Sequence, residues 1–244
     1  YSLNKNSYFK DIKILKLKKN IGSQKAIATA LKYISDNSEN FDDKFIIMDS
    51  DGEDDPNKLL DLFNALEKNH NIKIATFNRT LRKESLLFSI LYEVHLFITF
   101  LFTFNYIRFG NFSFITLDII KKVVTKEELW FAYSATLNKY FDKKFKISAP
   151  RKKRISGHSK MSYMNLIKHS INIQIVNKKN LIFSYSFYLF ILLTLKPIIL
   201  INIFYLFLAI FLIHFLLIGF FLRDTYKDIS FRNCLNNIES IKNI

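Results

Sequence analysis

The residues with the clearest capacity for chemistry form an acidic cluster in the first quarter of the chain. Five carboxylates occupy the seven positions from Asp49 to Asp55, directly after the apolar run "KFIIM". Asp49 and Asp51 stand two residues apart, and Gly52 frees the backbone that follows them. Mg²⁺ and Mn²⁺ prefer carboxylate oxygens shared with phosphate oxygens and water. We therefore expect Asp49 and Asp51 to hold Mg²⁺ or Mn²⁺ against a diphosphate.

Other interpretations of this cluster make predictions about neighbouring positions. An EF-hand calcium loop starting at Asp49 needs glycine at its sixth position and glutamate at its twelfth. Those positions hold Asp54 and Leu60, which excludes an EF-hand. A phosphatase of the haloacid-dehalogenase type also has two aspartates after a strand, but usually has Thr or Val where this chain has Glu53. The alternative that stays open is structural: a solvated turn whose acidic side chains cap the next helix.

Basic residues suited to anionic substrates lie in two later segments. "NRTLRKES" contains Arg79 and Arg82, and "RKKRISGHSK" contains Arg151, Arg154 and Lys160 around a glycine. Arginine binds phosphate through two parallel hydrogen bonds, and a glycine lets a loop close over a ligand. We expect Arg154 and Lys160 to grip a phosphate or the acceptor, and Arg79 and Arg82 to lie on the substrate side. The alternative for the second segment is attraction to anionic lipid.

The overall composition agrees with anionic partners. The 244 residues include 36 Lys and Arg against 21 Asp and Glu, a net charge of +15. Such a charge favours phosphates, phospholipid headgroups or nucleic acid. No nucleic-acid-binding motif is present, and nucleic acid would not explain the acidic cluster, so we do not expect it as a partner. The single cysteine, Cys234, excludes an internal disulfide and fits a reducing compartment.

The elements that must position these residues follow from hydrophobic periodicity. "IKILKL" alternates as a strand, and "NIGSQKAIATALKYIS" has helical spacing with Ser23 as its N-cap. "KFIIM" is typical of a strand buried on both faces. Asp55 and Pro56 suit the start of a helix that runs to about Lys68, and "IKIATF" is a third strand. This order predicts an α/β fold with a parallel, Rossmann-like sheet, and it places the acidic cluster at the carboxyl end of a strand.

The C-terminal part of the chain predicts a membrane anchor. Residues 181–222 are apolar almost throughout and long enough for two spans, with a turn near Lys196 and Pro197. Basic residues flank both ends, so the positive-inside rule places both flanks in the cytosol. We expect a multi-pass protein of the cytoplasmic (inner) membrane: two transmembrane helices forming a hairpin, a domain facing the cytosol and a cytosolic tail at 223–244.

A second apolar segment, residues 86–104, carries Glu93 and His95 near its middle. Burying that glutamate in a bilayer would cost a few kcal/mol. We therefore expect a helix that lies against the membrane surface or the protein core, with a membrane-spanning helix as the alternative. Contact with a second copy of the chain would cover the same segment and would make the protein a homo-oligomer.

Five segments, taken together, resemble motifs of family 2 glycosyltransferases with the GT-A fold. The likeness is greatest to membrane-anchored relatives that act on polyprenyl phosphates, of the dolichol-phosphate mannosyltransferase type. "MDSDGEDDP" resembles the metal-binding segment, and "NIGSQKAIATA" resembles a helix start in which the last glycine is Ala30 here. "NRTLRKES" resembles the paired-arginine segment, and "FGNFSFI" has Ser113 where many members have arginine. "RKKRISGHSK" resembles the segment that precedes the membrane helices, so the likeness covers about residues 12–175.

The resemblance implies a catalytic GT-A domain over residues 1–175, followed by the hairpin. Asp51, helped by Asp49, would hold the metal on the diphosphate of a nucleotide-sugar donor. Arg154 and Lys160 would act with Asp51 in catalysis. The residues that bind substrate would be Asp49, Arg79, Arg82 and Arg151.

The implied reaction is an inverting transfer of a sugar to a lipid-phosphate or glycolipid acceptor. A lipid phosphate is already anionic and needs no general base. A hydroxyl acceptor would need one, for which Glu127 and Glu128 are the candidates.

One departure from the family concerns the start of the chain. Family members begin with a strand and an acidic, nucleotide-contacting loop that precede the part matched here, and this sequence starts at Tyr1. The domain is thus expected to be N-terminally incomplete as given. The alternative function is a non-catalytic, membrane-anchored remnant or a partner subunit of another glycosyltransferase.

Overall fold

The computed structural model describes residues 12–79, 86–150, 152, 163–197, 201–226 and 231–243. These residues form a mixed α/β structure, as predicted. The strands are β1 (Lys13–Leu17), β2 (Lys44–Ile47), β3 (Ile74–Arg79), β4 (Phe109–Thr116), β5 (Phe145–Ala149) and β6 (Ile238–Asn243). The α-helices are α1 (Ser23–Asn37), α2 (Lys58–Lys68), α3 (Leu86–Thr103), α4 (Leu117–Val123), α5 (Tyr133–Tyr140), α6 (Tyr163–Val176), α7 (Lys178–Leu195) and α8 (Ile201–Tyr226). Two 3₁₀ helices span Glu127–Trp130 and Phe231–Asn237.

The main sheet has four strands in the order β2-β4-β3-β5. β4 is antiparallel to both β2 and β3, and β3 is parallel to β5. β2, β3 and β5 therefore run in the same direction. Their carboxyl ends and the start of β4 lie at the same end of the strands, which we call the polar edge of the sheet. The prediction of a wholly parallel sheet is wrong, because β4 enters between β2 and β3 with the opposite direction.

The first strand also lies outside the predicted sheet. β1 forms a separate antiparallel ribbon with β6, in which Lys13 is paired with Asn243. Its alternating pattern indicated a strand correctly, but the partner comes from the other end of the chain. Local periodicity carries no information about a partner so distant in sequence.

The strand before the acidic cluster is less buried than predicted. In β2, Phe45 and Ile47 are half-buried, whereas Lys44 and Ile46 are exposed. Within the described parts of the chain, β4 is the only strand paired with β2. β2 is thus an edge strand here, with one face on the core, and this explains why its apolar run is not covered on both sides.

The two helices around the acidic cluster begin near their predicted starts. α1 begins at Ser23, but its N-cap is Gly22, whose φ of 81° lies in the left-handed region that favours glycine. α2 begins at Lys58 and ends where predicted. The Asp55 carboxylate accepts a hydrogen bond from the backbone N–H of Asn57 at 3.0 Å, so it holds the turn that leads into α2.

Apolar side chains cover both faces of the main sheet. On one face α2 packs against β3, β4 and β5, with Leu62, Phe77 and Phe114 fully buried. On the other face α1, α4 and α5 pack against Ile74 and Ile115. The sheet is therefore a rigid central layer, and its polar edge is fixed by packing on two sides.

The apolar segments form three long helices. α7 ends just before the predicted turn at Lys196 and Pro197, and α8 follows. Within the described residues, one segment is long and apolar enough to cross a membrane, Ile201–Phe220 of α8, and only 11% of it is buried. α7 is not long and apolar enough by the same criterion, so the second predicted transmembrane helix stays a prediction. α3 forms the helix predicted at 86–104 and leaves Phe97 and Phe100 exposed.

α3 ends against one face of α7. Its last carbonyls, those of Leu101, Phe102 and Thr103, have no partner within the helix. They accept hydrogen bonds from Tyr188 (2.7 Å), Ser184 (2.8 Å) and Asn180 (2.7 Å), respectively. These three donors are spaced four residues apart, so α7 presents them in one row to the end of α3.

The chain returns to the domain after α8. Phe231 and Cys234 are buried in the core cluster beside α1, and β6 then pairs with β1. Most of the segment predicted as a cytosolic tail is therefore an integral part of the folded domain. Cys234 is a buried free cysteine, and a cysteine side chain suits this position because it packs like a small apolar group.

Candidate functional site

The acidic cluster lies at the sheet edge where the carboxyl ends of β2, β3 and β5 meet the start of β4. Asp49 and Asp51 follow β2 at this edge. Arg79 is the last residue of β3, and its backbone is paired with Ala149 of β5 at the same edge. Four other predicted site residues lie outside the described residues: Arg82, Arg151, Arg154 and Lys160.

Two amide side chains orient Asp49. The side-chain amide of Asn111, at the start of β4, donates to Asp49 Oδ1 at 3.1 Å. Gln24 of α1 donates to Asn111 Oδ1 at 3.0 Å and accepts the backbone N–H of Tyr133 at 2.8 Å. Asp49 is therefore fixed through a chain of hydrogen bonds that starts at the first turn of α5.

Sequence reasoning missed Gln24 and Asn111 as positioning residues. Both lie inside segments that were singled out, "NIGSQKA" and "FGNFSFI". Their residue types were the available signal, because an amide can donate and accept at the same time and so can link a carboxylate to the backbone. What the sequence did not contain was the proximity of α1, β2 and β4.

The loop after β2 is shaped by its own carboxylates. Gly52 has a φ of 82°, a backbone conformation that residues other than glycine rarely adopt. Asp51 Oδ1 accepts the backbone N–H of Glu53 at 3.0 Å, and buried Asp54 accepts the backbone N–H of Asp49 at 2.9 Å. The loop is thus held by Asp54 and by one carboxylate oxygen of Asp51, while Asp49 and Asp51 lie at the edge of the sheet.

Lys152 ties the segment after β5 to the acidic loop. Its ammonium lies 2.9 Å from Asp55 Oδ1, and its backbone N–H donates to the carbonyl of Glu53 at 2.9 Å. The hydrogen bond from Lys152 lowers the pKa of the Asp55 carboxyl below its ordinary value. The start of the basic segment is therefore in contact with the acidic cluster.

This ion pair predicts a dependence of stability on pH. Because the Asp55 pKa lies below its ordinary value of 3.8 in the folded protein, its contribution is present at neutral pH and is lost as the pH falls through the folded-state pKa. Lys152→Gln should lower the melting temperature at pH 7 by about 1–3 °C. The difference from the wild type should narrow below about pH 4. Thermal unfolding in detergent from pH 7 to pH 3 measures both effects.

A double-mutant comparison controls this prediction. In an Asp55→Asn background, Lys152→Gln should cause little further change at any pH, because its partner is already neutral. A pH-independent loss in both backgrounds would show that Lys152 acts through packing instead.

The structure beneath the loop is nearly solid. A cavity of about 10 Å³ lies between the loop and the aromatic pair Phe77 and Phe112, close to Ala149 and Pro150. That volume corresponds to about one water molecule. A nucleotide sugar would therefore have to bind above Asp49 and Asp51, on the outer side of the loop.

The described residues fit a cation that is shared with a ligand. In the described part of the chain no group of three or more His, Cys, Asp or Glu side chains is arranged to hold a metal ion. Asp49 and Asp51 would supply two carboxylates, and Mg²⁺ in phosphate sites commonly takes one or two from the protein. A cation at Asp49 and Asp51 would therefore need its remaining ligands from a bound molecule, such as a diphosphate, or from water.

The two glutamates considered as a general base are engaged in ion pairs. Glu127 pairs with Arg232 at 3.0 Å, and Glu128 pairs with Lys139 at 2.8 Å. Burial would raise the pKa of Glu128, but the hydrogen bond from Lys139 opposes it and the pKa is lowered. A carboxylate with a lowered pKa is a weaker base, so Glu128 is poorly suited to act as a general base.

Ser113, which stands where family members often have arginine, faces the protein interior. It is fully buried, and its hydroxyl lies 2.7 Å from the hydroxyl of Tyr133 and 2.9 Å from the carbonyl of Asn111. Its side chain stabilises β4 from the protein interior and is not exposed at the polar edge of the sheet. Any cationic contact to an acceptor must come from another residue.

Comparisons of the chain with protein-family models, with curated proteins and with solved structures find no match. The interpretation of the site therefore rests on its own residues and geometry.

Proposed function

We propose that this protein is a membrane-bound, metal-dependent glycosyltransferase of the family 2, GT-A type. It would move a sugar from a nucleotide-diphosphate sugar to a lipid-phosphate or glycolipid acceptor. The observation that carries the proposal is the pair Asp49 and Asp51 at the carboxyl end of β2, with Asp49 oriented through Asn111 and Gln24. A solvated turn would not need this second layer of hydrogen bonds.

The roles of the residues follow from the charge of the donor. Mg²⁺ or Mn²⁺, when bound, neutralises the charge that develops on the departing diphosphate. Asp51 and Asp49 would hold the cation, and Asn111 would keep Asp49 turned towards it. An anionic lipid phosphate attacks the anomeric carbon directly and inverts its configuration, with no proton to remove. This agrees with the ion pairs that occupy Glu127 and Glu128.

Attachment to the membrane would use both α7 and α8. The chain leaves the domain at Val176, buried beside Ile173 and Ala135, and returns to it at Phe231 and Cys234. Both ends of the α7–α8 segment thus pack against the same domain, which would lie on one side of the membrane. If α8 crosses the bilayer, α7 must cross it in the other direction. The positive flank at α7 favours the cytosolic side of the cytoplasmic membrane.

A cysteine placed at the turn tests this hairpin. Lys196→Cys should react with a membrane-impermeant maleimide added outside intact cells, whereas Glu39→Cys in the exposed region after α1 should react only after lysis. The wild type is the blank, since its single cysteine is buried. Labelling of both variants from the same side would contradict a two-span anchor.

A transfer assay tests the reaction. Membranes that contain the longest form of the chain encoded by its gene would receive labelled nucleotide sugars with Mg²⁺ or Mn²⁺. We expect label to enter the organic phase and to stay in the aqueous phase when the cation is chelated. Transfer that persists without a divalent cation would contradict the metal-dependent proposal. No transfer from a folded, membrane-inserted chain would favour the non-catalytic partner instead.

A further inference from the structure

A second cavity, larger than the one under the acidic loop, lies where the membrane helices leave the domain. It has a volume of about 260 Å³. Its walls come from the segment after α3, from α5 and the residues that follow it, and from the start of α7. Seven residues line it, and all are polar: four asparagines, two lysines and one aspartate. None of them belongs to the acidic cluster, so the cavity is separate from the proposed catalytic site.

The asparagines present hydrogen-bond donors that the protein itself does not use. Asn138, Asn177 and Asn180 each donate one amide hydrogen, to Asn105 Oδ1 (3.4 Å), the Ile173 carbonyl (3.2 Å) and the Thr103 carbonyl (2.7 Å). Each amide carries a second hydrogen, for which no acceptor lies among the described residues. Three asparagines with one amide hydrogen each to spare thus line the same cavity.

Two lysines also line this space, and the charge of one of them, Lys139, is balanced by Glu128. Lys139 donates to Glu128 Oε1 at 2.8 Å and to the carbonyl of Val176 at 2.6 Å, which leaves one of its three hydrogens. Lys179 makes no hydrogen bond or ion pair within the described part of the chain. Asp142 is the one negatively charged residue among those that line the cavity. A ligand complementary to this set has an anionic group and, beside it, a group that donates hydrogen bonds.

The position of the cavity indicates where such a ligand comes from. Asn180 lines the cavity and also caps the end of α3. Two turns further along α7, the exposed side chains are aromatic or aliphatic, as in Phe187 and Phe190. If the exposed apolar surface of α7 lies in a bilayer, the cavity lies at the level of the headgroups, next to the start of the apolar region.

From this geometry we infer that the cavity binds the phosphate ester of a membrane phospholipid headgroup, as an anchoring lipid and not as a substrate. The phosphate would lie against Lys179, Lys139 and the amide donors, and the alcohol part of the headgroup would donate to Asp142. Phosphatidylglycerol has both features. The inference rests on the membrane attachment proposed above.

Retention of lipid by the purified protein tests the inference. Wild-type protein in a neutral detergent, mixed with phosphatidylglycerol and examined by native mass spectrometry, should retain one lipid per chain. Lys179→Gln should weaken retention by about tenfold, because it removes a charge-assisted hydrogen bond. Lys178→Gln is the matched control: it removes the same charge one residue away, from a side chain that does not line the cavity. Asn138→Ala should also weaken retention, without a change in charge.

Further measurements distinguish a lipid phosphate from a free phosphate, and distinguish failure of this inference from failure of the proposed membrane attachment. Equal loss in Lys178→Gln and Lys179→Gln, with Asn138→Ala unchanged, would overturn the cavity assignment and leave only general attraction to anionic lipid. Binding of free glycerol phosphate, without retention of the lipid, would overturn the assignment to a lipid. Flotation of every variant with neutral phosphatidylcholine vesicles tests membrane attachment by itself. If the wild type does not float, the membrane proposal and the inference both fail; if it floats but retains no phosphatidylglycerol, the inference alone fails.

Discussion

Replacement of Asp51 by asparagine should lower sugar transfer by about a hundredfold or more, the usual cost of removing one preorganised charge from a reacting diphosphate. The substitution is nearly isosteric. The amide oxygen of asparagine can still accept the backbone N–H of Glu53, which Asp51 Oδ1 accepts at 3.0 Å in the wild type. The loop should therefore keep its shape, and only the negative charge that attracts the cation is lost. The rate of label transfer to the organic phase, at saturating donor and with titrated Mn²⁺, measures the effect.

A matched aspartate on the neighbouring helix controls for the change in charge. Asp61 lies on α2 and pairs with Lys58 at 2.8 Å on the protein surface. Asp61→Asn should transfer sugar at close to the wild-type rate, because an exposed ion pair of this kind contributes little. Equal transfer by Asp51→Asn and the wild type would remove Asp51 from the mechanism and would favour the structural interpretation of the cluster.

Replacement of Phe77 by alanine should destabilise the fold by about 3–5 kcal/mol. Phe77 is 1% exposed, and its ring is stacked on that of Phe112, with centroids 3.7 Å apart and planes 8° apart. The pair supports the acidic loop from below, since both rings line the small cavity beneath it. Alanine would leave a void that the close-packed sheet and α2 can fill only in part. Unfolding by urea in detergent, followed through the fluorescence of the single tryptophan, Trp130, measures the loss.

An exposed phenylalanine on α2 provides the control for this prediction. Phe63 is 48% exposed, so Phe63→Ala should change the free energy of unfolding by less than about 1 kcal/mol. If Phe77→Ala were no more harmful than Phe63→Ala, the packing of α2 on the sheet would not be a source of stability.

The sequence predicted the elements around the acidic cluster better than their neighbours in space. The extents of β2, α2 and α3 follow from local periodicity and helix-start residues. The position of β4 does not, because the residues of "FGNFSFI" give no local sign that the segment pairs between β2 and β3. The pairing of β1 with β6 joins residues from opposite ends of the chain. Such contacts depend on the energy of the whole fold.

The sequence predicted the charged residues of the candidate site but not the residues that orient them. Asp49 and Asp51 could be selected by residue type and spacing alone. Gln24 and Asn111 act only because three elements bring their amides into one line with Asp49. The division of work inside the cluster, with Asp54 holding the loop, likewise depends on which backbone N–H groups the fold brings near.

The contact between the end of α3 and α7 has a consequence for how the acceptor reaches the acidic loop. Separation of the two helices would leave the carbonyls of Leu101 and Phe102 without donors, at about 1–3 kcal/mol each, and would remove one of the two donors of the Thr103 carbonyl. The contact therefore limits how far the domain can tilt relative to α7. If α7 is part of the proposed membrane anchor, Asp51 is held at a nearly constant height above the bilayer. In the proposed reaction a lipid-borne acceptor would then have to present its head at that height, so we expect the length of its polar part to determine which lipids are glycosylated.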